Sequence, residues 1–316
     1  MDSKNKRPLV VLTGPTAVGK TALSIHLAKA IGGEIISADS MQVYQQMDIG
    51  TAKIKPEEMQ GIPHYLVDEF PPDEEFNVVK FKEYANKYME QIYEKGKIPI
   101  LVGGTGFYIQ AVLKDVAFEQ EEVSECRKRF EQLAEEKGAH YLHLQLQNVD
   151  PKSALAIHEN NVRRVIRALE YYEQTGKCIS DHNEQEKKKE SPYNFAYFVL
   201  NQDRSILYKR IDKRVDLMVE EGLVDEVKHL LEQGYGRDLV SMQGLGYKEI
   251  CAYLENEISL EEAIYILKRD TRHFAKRQLT WFKREQDVIW VDKDQYKTEE
   301  EQLAFCMKAL QEKNIC

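Results

Sequence analysis

Residues 9–31, LVVLTGPTAVGKTALSIHLAKAI, restrict this chain more than any other stretch. Leu9 to Leu12 is an apolar run the length of one buried strand. After it Ala22, Leu23, Ile25, Leu27, Ala28 and Ile31 recur at helical spacing. Between the two stand Gly14, Pro15, Thr16, Ala17, Val18, Gly19, Lys20 and Thr21, a complete G-x4-G-K-[ST] phosphate loop in the strand–loop–helix setting that the motif requires. Glycine lets the backbone approach a phosphate, and the N–H groups at the helix N-terminus point at it. Lys20 adds a point charge, and the Thr21 hydroxyl is placed to ligate magnesium (Mg2+). A glycine turn can precede a helix by chance, but here motif and context agree. The loop holds a pyrophosphate; it does not say whose.

The rest of the chain fits a sheet around that loop. Residues 34–39 (EIISAD), 64–70 (HYLVDEF) and 98–102 read as short strands, separated by an irregular loop after Asp39 and by a helix over 76–95. Short apolar strands alternating with helices predict a parallel α/β sheet, with ligands beyond the strand C-terminal ends. Asp39, Asp68, the phosphate loop and residues 103–106 (GGTG) are therefore expected at one crevice. From about residue 117 to 190 charges dominate and helical patterns take over, including 141–147, whose Leu142, Leu146 and Val149 keep helical spacing. Residues 161–175 read as a helix stopped at Gly176, and the charge run 184–190 as a solvated linker. Strand 193–200, one long helix over 206–232, a helix over 260–285 and strand 288–291 return the chain to the sheet. The expectation is a P-loop nucleoside-triphosphate-hydrolase-like α/β core over 1–116 and 191–316, with a helical insertion domain at 117–190.

Composition narrows the partners. The 316 residues carry 44 Lys+Arg against 53 Asp+Glu, a net charge of −9, so any nucleic-acid site must be a local patch. One exists. Residues 268–284 hold seven basic side chains and one acidic one, with Arg269, Arg272, Lys276 and Lys283 on one helical face opposite Leu267, Phe274 and Trp281. Such a stripe is often only a solvated face. The five cysteines are scattered with no C-x-x-C pair, which argues against a zinc site or a disulfide framework and for a reducing, cytoplasmic setting. No signal peptide is read at the N-terminus, and no apolar run reaches membrane-spanning length.

Asp39 and Asp68 each follow a short apolar strand, where a carboxylate can hold Mg2+, accept a proton or merely cap a helix. Polar Ser40 and Gln42 after Asp39, beside the phosphate loop, favour Asp39 as general base. Arg210 and Arg214 lie one helical turn apart, able to clamp a leaving group or to pair with Asp212 and Glu220. Up to this point a small-molecule kinase and a transferase that releases pyrophosphate stand equally open.

Seven strings extend the reading: GPTAVGKT (14–21), ISADSMQVYQQMDIGTAK (36–53), ILVGGTGFYI (100–109), RRVIRALE (163–170), LYKRIDKRVDLM (207–218), GLGYKE (244–249) and AKRQLTWF (275–282). On them the chain resembles the MiaA family of bacterial tRNA dimethylallyltransferases (tRNA isopentenyltransferases), along almost its whole length and in the family's order. One departure lies at 158–164, HENNVRR, where the family usually has HPNDPQR. The resemblance implies dimethylallyl pyrophosphate in the phosphate loop, Mg2+ as cofactor and adenosine 37 of a tRNA anticodon stem-loop as acceptor, on a monomeric cytoplasmic enzyme. It implies Asp39 as base, with Thr105 and Arg214 as further catalytic residues. It also implies tRNA contacts at Asp39, Ser40, Met41, Gln42, Thr105, Arg127, Arg163, Arg164, Arg167, Gly244, Gly246 and Tyr247, to which the basic helix adds Lys276 and Arg277 as candidates. The rivals are an adenylate isopentenyltransferase with a free nucleotide acceptor, a kinase that would turn over ATP, and an RNA-binding module with a dead site. Intact Lys20, Thr21 and Asp39 speak against the last.

Overall fold

The computed structural model describes residues 6–117 and 125–316, so the opening stretch of the expected insertion, 118–124, lies outside the described residues. The chain divides into two compact units, Met1–Leu113 with Pro192–Cys316, and Lys114–Ser191. The first unit opens with β1 (Arg7–Thr13), α1 (Lys20–Ile31), β2 (Gly33–Ser37), β3 (His64–Tyr65), α2 (Val78–Glu94), β4 (Ile98–Gly103) and α3 (Gly106–Leu113). The second unit is helical: α4 (Glu125–Lys137), α5 (Ala139–Val149), α6 (Pro151–Ala156), α7 (Val162–Thr175) and α8 (Ile179–Lys188). The chain then returns through β5 (Tyr193–Asn201), α9 (Arg204–Glu220), α10 (Leu223–Glu232), α11 (Tyr247–Leu254), α12 (Leu260–Phe282), β6 (Val288–Asp292) and α13 (Glu299–Glu312).

In the first unit six parallel strands form one sheet in the order β3-β2-β4-β1-β5-β6. Alternation of side chains across the pleat, with both faces of the sheet covered, explains why Leu9–Leu12 of β1 are all apolar. Leu9 and Val11 enter a core with α2, α3, α10 and α11, while Val10 and Leu12 enter another with α1 and α13. All four are fully buried, each contributing about 1.5–3 kcal/mol of transfer free energy. In the second unit α4, α5 and α7 close around Phe130, Leu142, Leu146, Val165, Ile166 and Leu169, so the 141–147 segment is helical as its spacing requires.

Three expectations are corrected. The strand expected over 64–70 shrinks to two residues, because Leu66 and Asp68 adopt left-handed backbone conformations (φ 59° and 60°) that leave the ladder. The single helix expected over 206–232 is two, separated at Gly222, whose φ of 105° no helix accommodates. The charge run 184–190 is largely helix rather than linker, since α8 extends to Lys188. Glu, Gln and Lys are good helix formers, and α8 is held at its start by Asp150, which accepts from the N–H and hydroxyl of Ser180.

Candidate active site

The phosphate loop leaves β1 between two neighbouring strands. Its first residue, Gly14, lies so close to β5 that a Cβ would stand 2.6 Å from the Leu200 carbonyl oxygen. The turn delivers Lys20 to the first position of α1, its Nζ donating to the carbonyls of Gly14 and Pro15, both at 2.9 Å. Burial pushes the Lys20 ammonium down to about 8. The negative charge of Asp39 opposes that shift and the positive charge of Arg214 adds to it, so all three groups share one electrostatic neighbourhood. Arg214 stands on α9, where burial around its guanidinium and then repulsion from Arg210 lower its pKa. Arg210 donates to Gln202 and faces Gly19, where Lys293 also lies, bonded to the Val18 carbonyl at 3.2 Å. Lys293 follows the edge strand β6 and carries no motif; only the fold brings it to the loop.

Asp39 sits two residues past β2, half-buried. Its Oδ1 accepts the N–H of Met41 at 2.9 Å and of Gln42 at 3.4 Å, a turn that holds the carboxylate over the strand ends. Beside it β4 ends in Gly103, where a Cβ would fall 2.1 Å from the Ala38 carbonyl oxygen. That approach lets Thr105 donate its N–H to Ala38 O at 3.2 Å, so Thr105 and Asp39 stand on bonded neighbours. Met41 packs on Gly244, leaving no space for a side chain there. Tyr247 is fully buried and donates to Glu226 at 2.7 Å, and that carboxylate also accepts the N–H groups of Asp48, Ile49 and Gly50. Residues 39–50 and 244–247, distant in sequence, are thus one assembly, which Tyr247 serves from inside while its own ring offers no surface to a partner.

Other expected residues lie elsewhere or are already engaged. Asp68 pairs with Lys53 at 2.7 Å, which also bonds Asp48, so its carboxylate closes a surface turn. The Gln42 amide is spent on the Thr51 and Ala52 carbonyls. Asp212 pairs with Arg272, not with Arg210 or Arg214, and Asp216 with Lys268, while Arg269 pairs with Asp270 of its own helix; the first half of the α12 stripe is therefore already paired, Arg272 by α9 and Arg269 within α12. Lys276 and Arg277 are exposed. Lys276 and Lys283 line a cleft of about 520 Å³ at the C-terminal ends of β5 and β6, with Tyr208 and Leu279. In the second unit Arg127 is paired with the buried Glu170 at 2.7 Å, whereas Arg163, Arg164 and Arg167 are exposed on α7. Gln278 escaped sequence reasoning: buried on α12, it bonds both the phosphate loop and the glycine loop after β4. A glutamine in a basic helix gives no signal unless one asks which polar residue falls on the apolar face.

A magnesium site can be tested on donor chemistry. Among the described residues no group of three or more acidic, histidine or cysteine side chains is placed to hold a metal. The exposed Thr21 hydroxyl at the start of α1 offers one oxygen beside the phosphate loop. That suits Mg2+, which takes few protein oxygens and completes its shell with phosphate and water. Among the described residues no helix is long and apolar enough to cross a membrane.

Comparison with known proteins places this arrangement. The family model described as IPP transferase matches residues 42–285. A tRNA dimethylallyltransferase of Lachnoclostridium phytofermentans is 66% identical over 98% of this chain and 99% of its own length. One from Acetivibrio thermocellus is 54% identical over 92% and 94%. Among solved structures, the tRNA isopentenylpyrophosphate transferase of Bacillus halodurans is 46% identical, covers 98% of both chains and superposes with a TM-score of 0.74. A eukaryotic dimethylallyltransferase described as acting on tRNA is 30% identical over 98% of this chain and 80% of its own, with a TM-score of 0.82.

Proposed function

This chain belongs to the IPP transferase family, and from that membership we propose that it transfers a dimethylallyl group from dimethylallyl pyrophosphate to N6 of adenosine 37 in tRNA, releasing pyrophosphate. The observation that carries the reading is the meeting, at the ends of neighbouring strands, of the phosphate loop that holds Lys20 after β1 and the Asp39 carboxylate after β2, whose preceding residue Ala38 bonds Thr105 beyond β4. It is an enzyme whose substrates are tRNA and dimethylallyl pyrophosphate. The anticodon stem-loop as the part of tRNA recognised, a monomeric state and a cytoplasmic location are proposals, the last consistent with five free cysteines.

In the reaction the bond from the allylic carbon to the pyrophosphate oxygen breaks and a bond from N6 to that carbon forms. The N6 lone pair is delocalised into the adenine ring, so attack is assisted by removal of an N6 proton, and Asp39 takes it. The departing pyrophosphate gains charge, which the N–H groups of the phosphate loop, Lys20 and Arg214 stabilise. Thr105, bonded to the residue before Asp39, positions the adenine. Magnesium, bound through Thr21, would add charge neutralisation on the pyrophosphate. A base within an anticodon loop must leave its stack to reach Asp39. Arg163, Arg164 and Arg167 on the second unit, Lys276 and Arg277 on the first, and the loops at 39–42 and 244–246 offer contacts to the RNA.

Purified protein given unmodified tRNA, dimethylallyl pyrophosphate and magnesium, without ATP, should release one pyrophosphate per prenylated adenosine. Strict dependence on ATP, or its hydrolysis at each turnover, would overturn the assignment in favour of a kinase-like reaction.

The exposed end of α12 supplies a separate prediction. Changing Lys276 and Arg277 together to glutamine should weaken tRNA binding and flatten its salt dependence, by about one unit of log–log slope for each phosphate no longer neutralised. Filter binding at several salt concentrations measures this, and an unchanged slope would make that end of the helix an ordinary solvated surface.

A further inference from the structure

We propose that Gln278 is a positioning residue for prenyl transfer, one that fixes the phosphate loop against the glycine loop carrying Thr105. The proposal rests on the transferase reading above. Gln278 lies in the last third of α12 and is only 7% exposed. Its Oε1 accepts the N–H of Thr16 at 2.9 Å, and its Nε2 donates to the carbonyl of Gly104 at 3.0 Å. The amide is therefore oriented: turned over, it would set N–H against N–H and carbonyl against carbonyl. The space it occupies exists because residue 104 has no side chain, since a Cβ there would lie 2.2 Å from Nε2.

What the amide joins gives it consequence. The two loops follow adjacent parallel strands, and the last register pair of that ladder is Thr13 with Gly103, tied also by the Thr13 hydroxyl on the Gly103 carbonyl at 2.6 Å. Beyond that pair the backbone ladder stops, and the separation of the loops is no longer set by strand pairing. Gln278 supplies the next rung with a side chain. From Gly104 the connection continues to Thr105, whose N–H bonds Ala38, the residue before Asp39. One series of bonds thus runs from the loop that grips the donor to the two residues that face the acceptor. Trp281, one helical turn further along α12, packs its indole over Gly106 and seats the helix on the same loop. A reaction that joins two bound substrates depends on their mutual placement, and an error of about 1 Å costs about a hundredfold in rate.

A glutamine that merely filled space would affect stability or binding, not the rate with both substrates bound. The test uses the full chain with Gln278→Met, which keeps the length and loses both bonds, and Gln278→Glu, which keeps the acceptor facing Thr16 and sets a carboxylate against the Gly104 carbonyl. In single-turnover reactions saturated with dimethylallyl pyrophosphate and tRNA, both variants should be slower by about 10- to 100-fold. Their affinities for pyrophosphate, by calorimetry, and for tRNA, by filter binding, should stay within about threefold of wild type, the residual binding not requiring the two loops in register. Wild-type rates in either variant, or a loss confined to pyrophosphate affinity, would overturn the assignment. So would the failure of both variants to fold, which would make Gln278 a stability residue. Absence of prenyl transfer by the wild-type protein would instead sink the transferase reading itself, so the two failures are distinguishable.

Discussion

Changing Asp39 to asparagine should lower the single-turnover rate of prenyl transfer by about 10²–10⁴ while leaving tRNA affinity within about threefold. The separation of effects follows from how the side chain is held. Oδ1 of Asp39 accepts from the N–H groups of Met41 and Gln42, and the asparagine carbonyl oxygen can accept the same two bonds. The loop from 39 to 42 therefore keeps its shape, and with it the packing of Met41 on Gly244. What the amide lacks is the capacity to take a proton from N6. The rate is to be read with both substrates saturating, so that a change in affinity cannot imitate a change in chemistry. A variant as fast as wild type would place the base elsewhere.

The second large effect is expected at Lys20. Its alanine variant should lose about 10²–10³ in kcat/KM for dimethylallyl pyrophosphate, the magnitude associated with one preorganised donor to a developing anion, with tRNA affinity unchanged. The wild type carries a pH signature of the same group. Burial lowers the Lys20 ammonium to about 8, so in the free enzyme it is protonated below that pH and neutral above it. Because kcat/KM reports the free enzyme, its value for the donor should fall as pH rises through about 8, by up to about tenfold per unit. Arg214 remains charged throughout and supplies no such inflection. The alanine variant should show none in this range. If the inflection persisted without Lys20, or if tRNA affinity collapsed while donor binding held, the loop would not be the pyrophosphate grip.

Much of this was legible in the chain, for a local reason. A phosphate loop is specified by short-range rules: a strand of alternating faces, glycines where backbone must approach backbone, and a lysine at the first helical position. Strand β1 and helix α1 fall where residues 9–31 place them. Helix α5 likewise follows from Leu142 and Leu146, despite its strand-like composition. The misreadings have local reasons too. Periodicity carried the helix through Glu221-Gly222, where one left-handed residue ends it. Charge density suggested a linker where Ser180 bonds to Asp150 anchor a helix.

The sequence by itself determined the phosphate loop, the parallel sheet and the candidacy of Asp39, because each depends on residue type and near-neighbour spacing. Only the tertiary structure decided which charges remain available and what holds the site together. Asp68 is lost to Lys53, Arg272 and Lys268 to the carboxylates of α9, and Arg127 to Glu170. Lys293 and Gln278 meanwhile reach the phosphate loop from 275 and 262 residues away along the chain. Side-chain pairing acts over a few ångströms in space and is indifferent to distance along the chain. A pattern read along the chain can therefore name a site's chemistry, while the partners that position or neutralise it appear only once the strands and helices have brought them together.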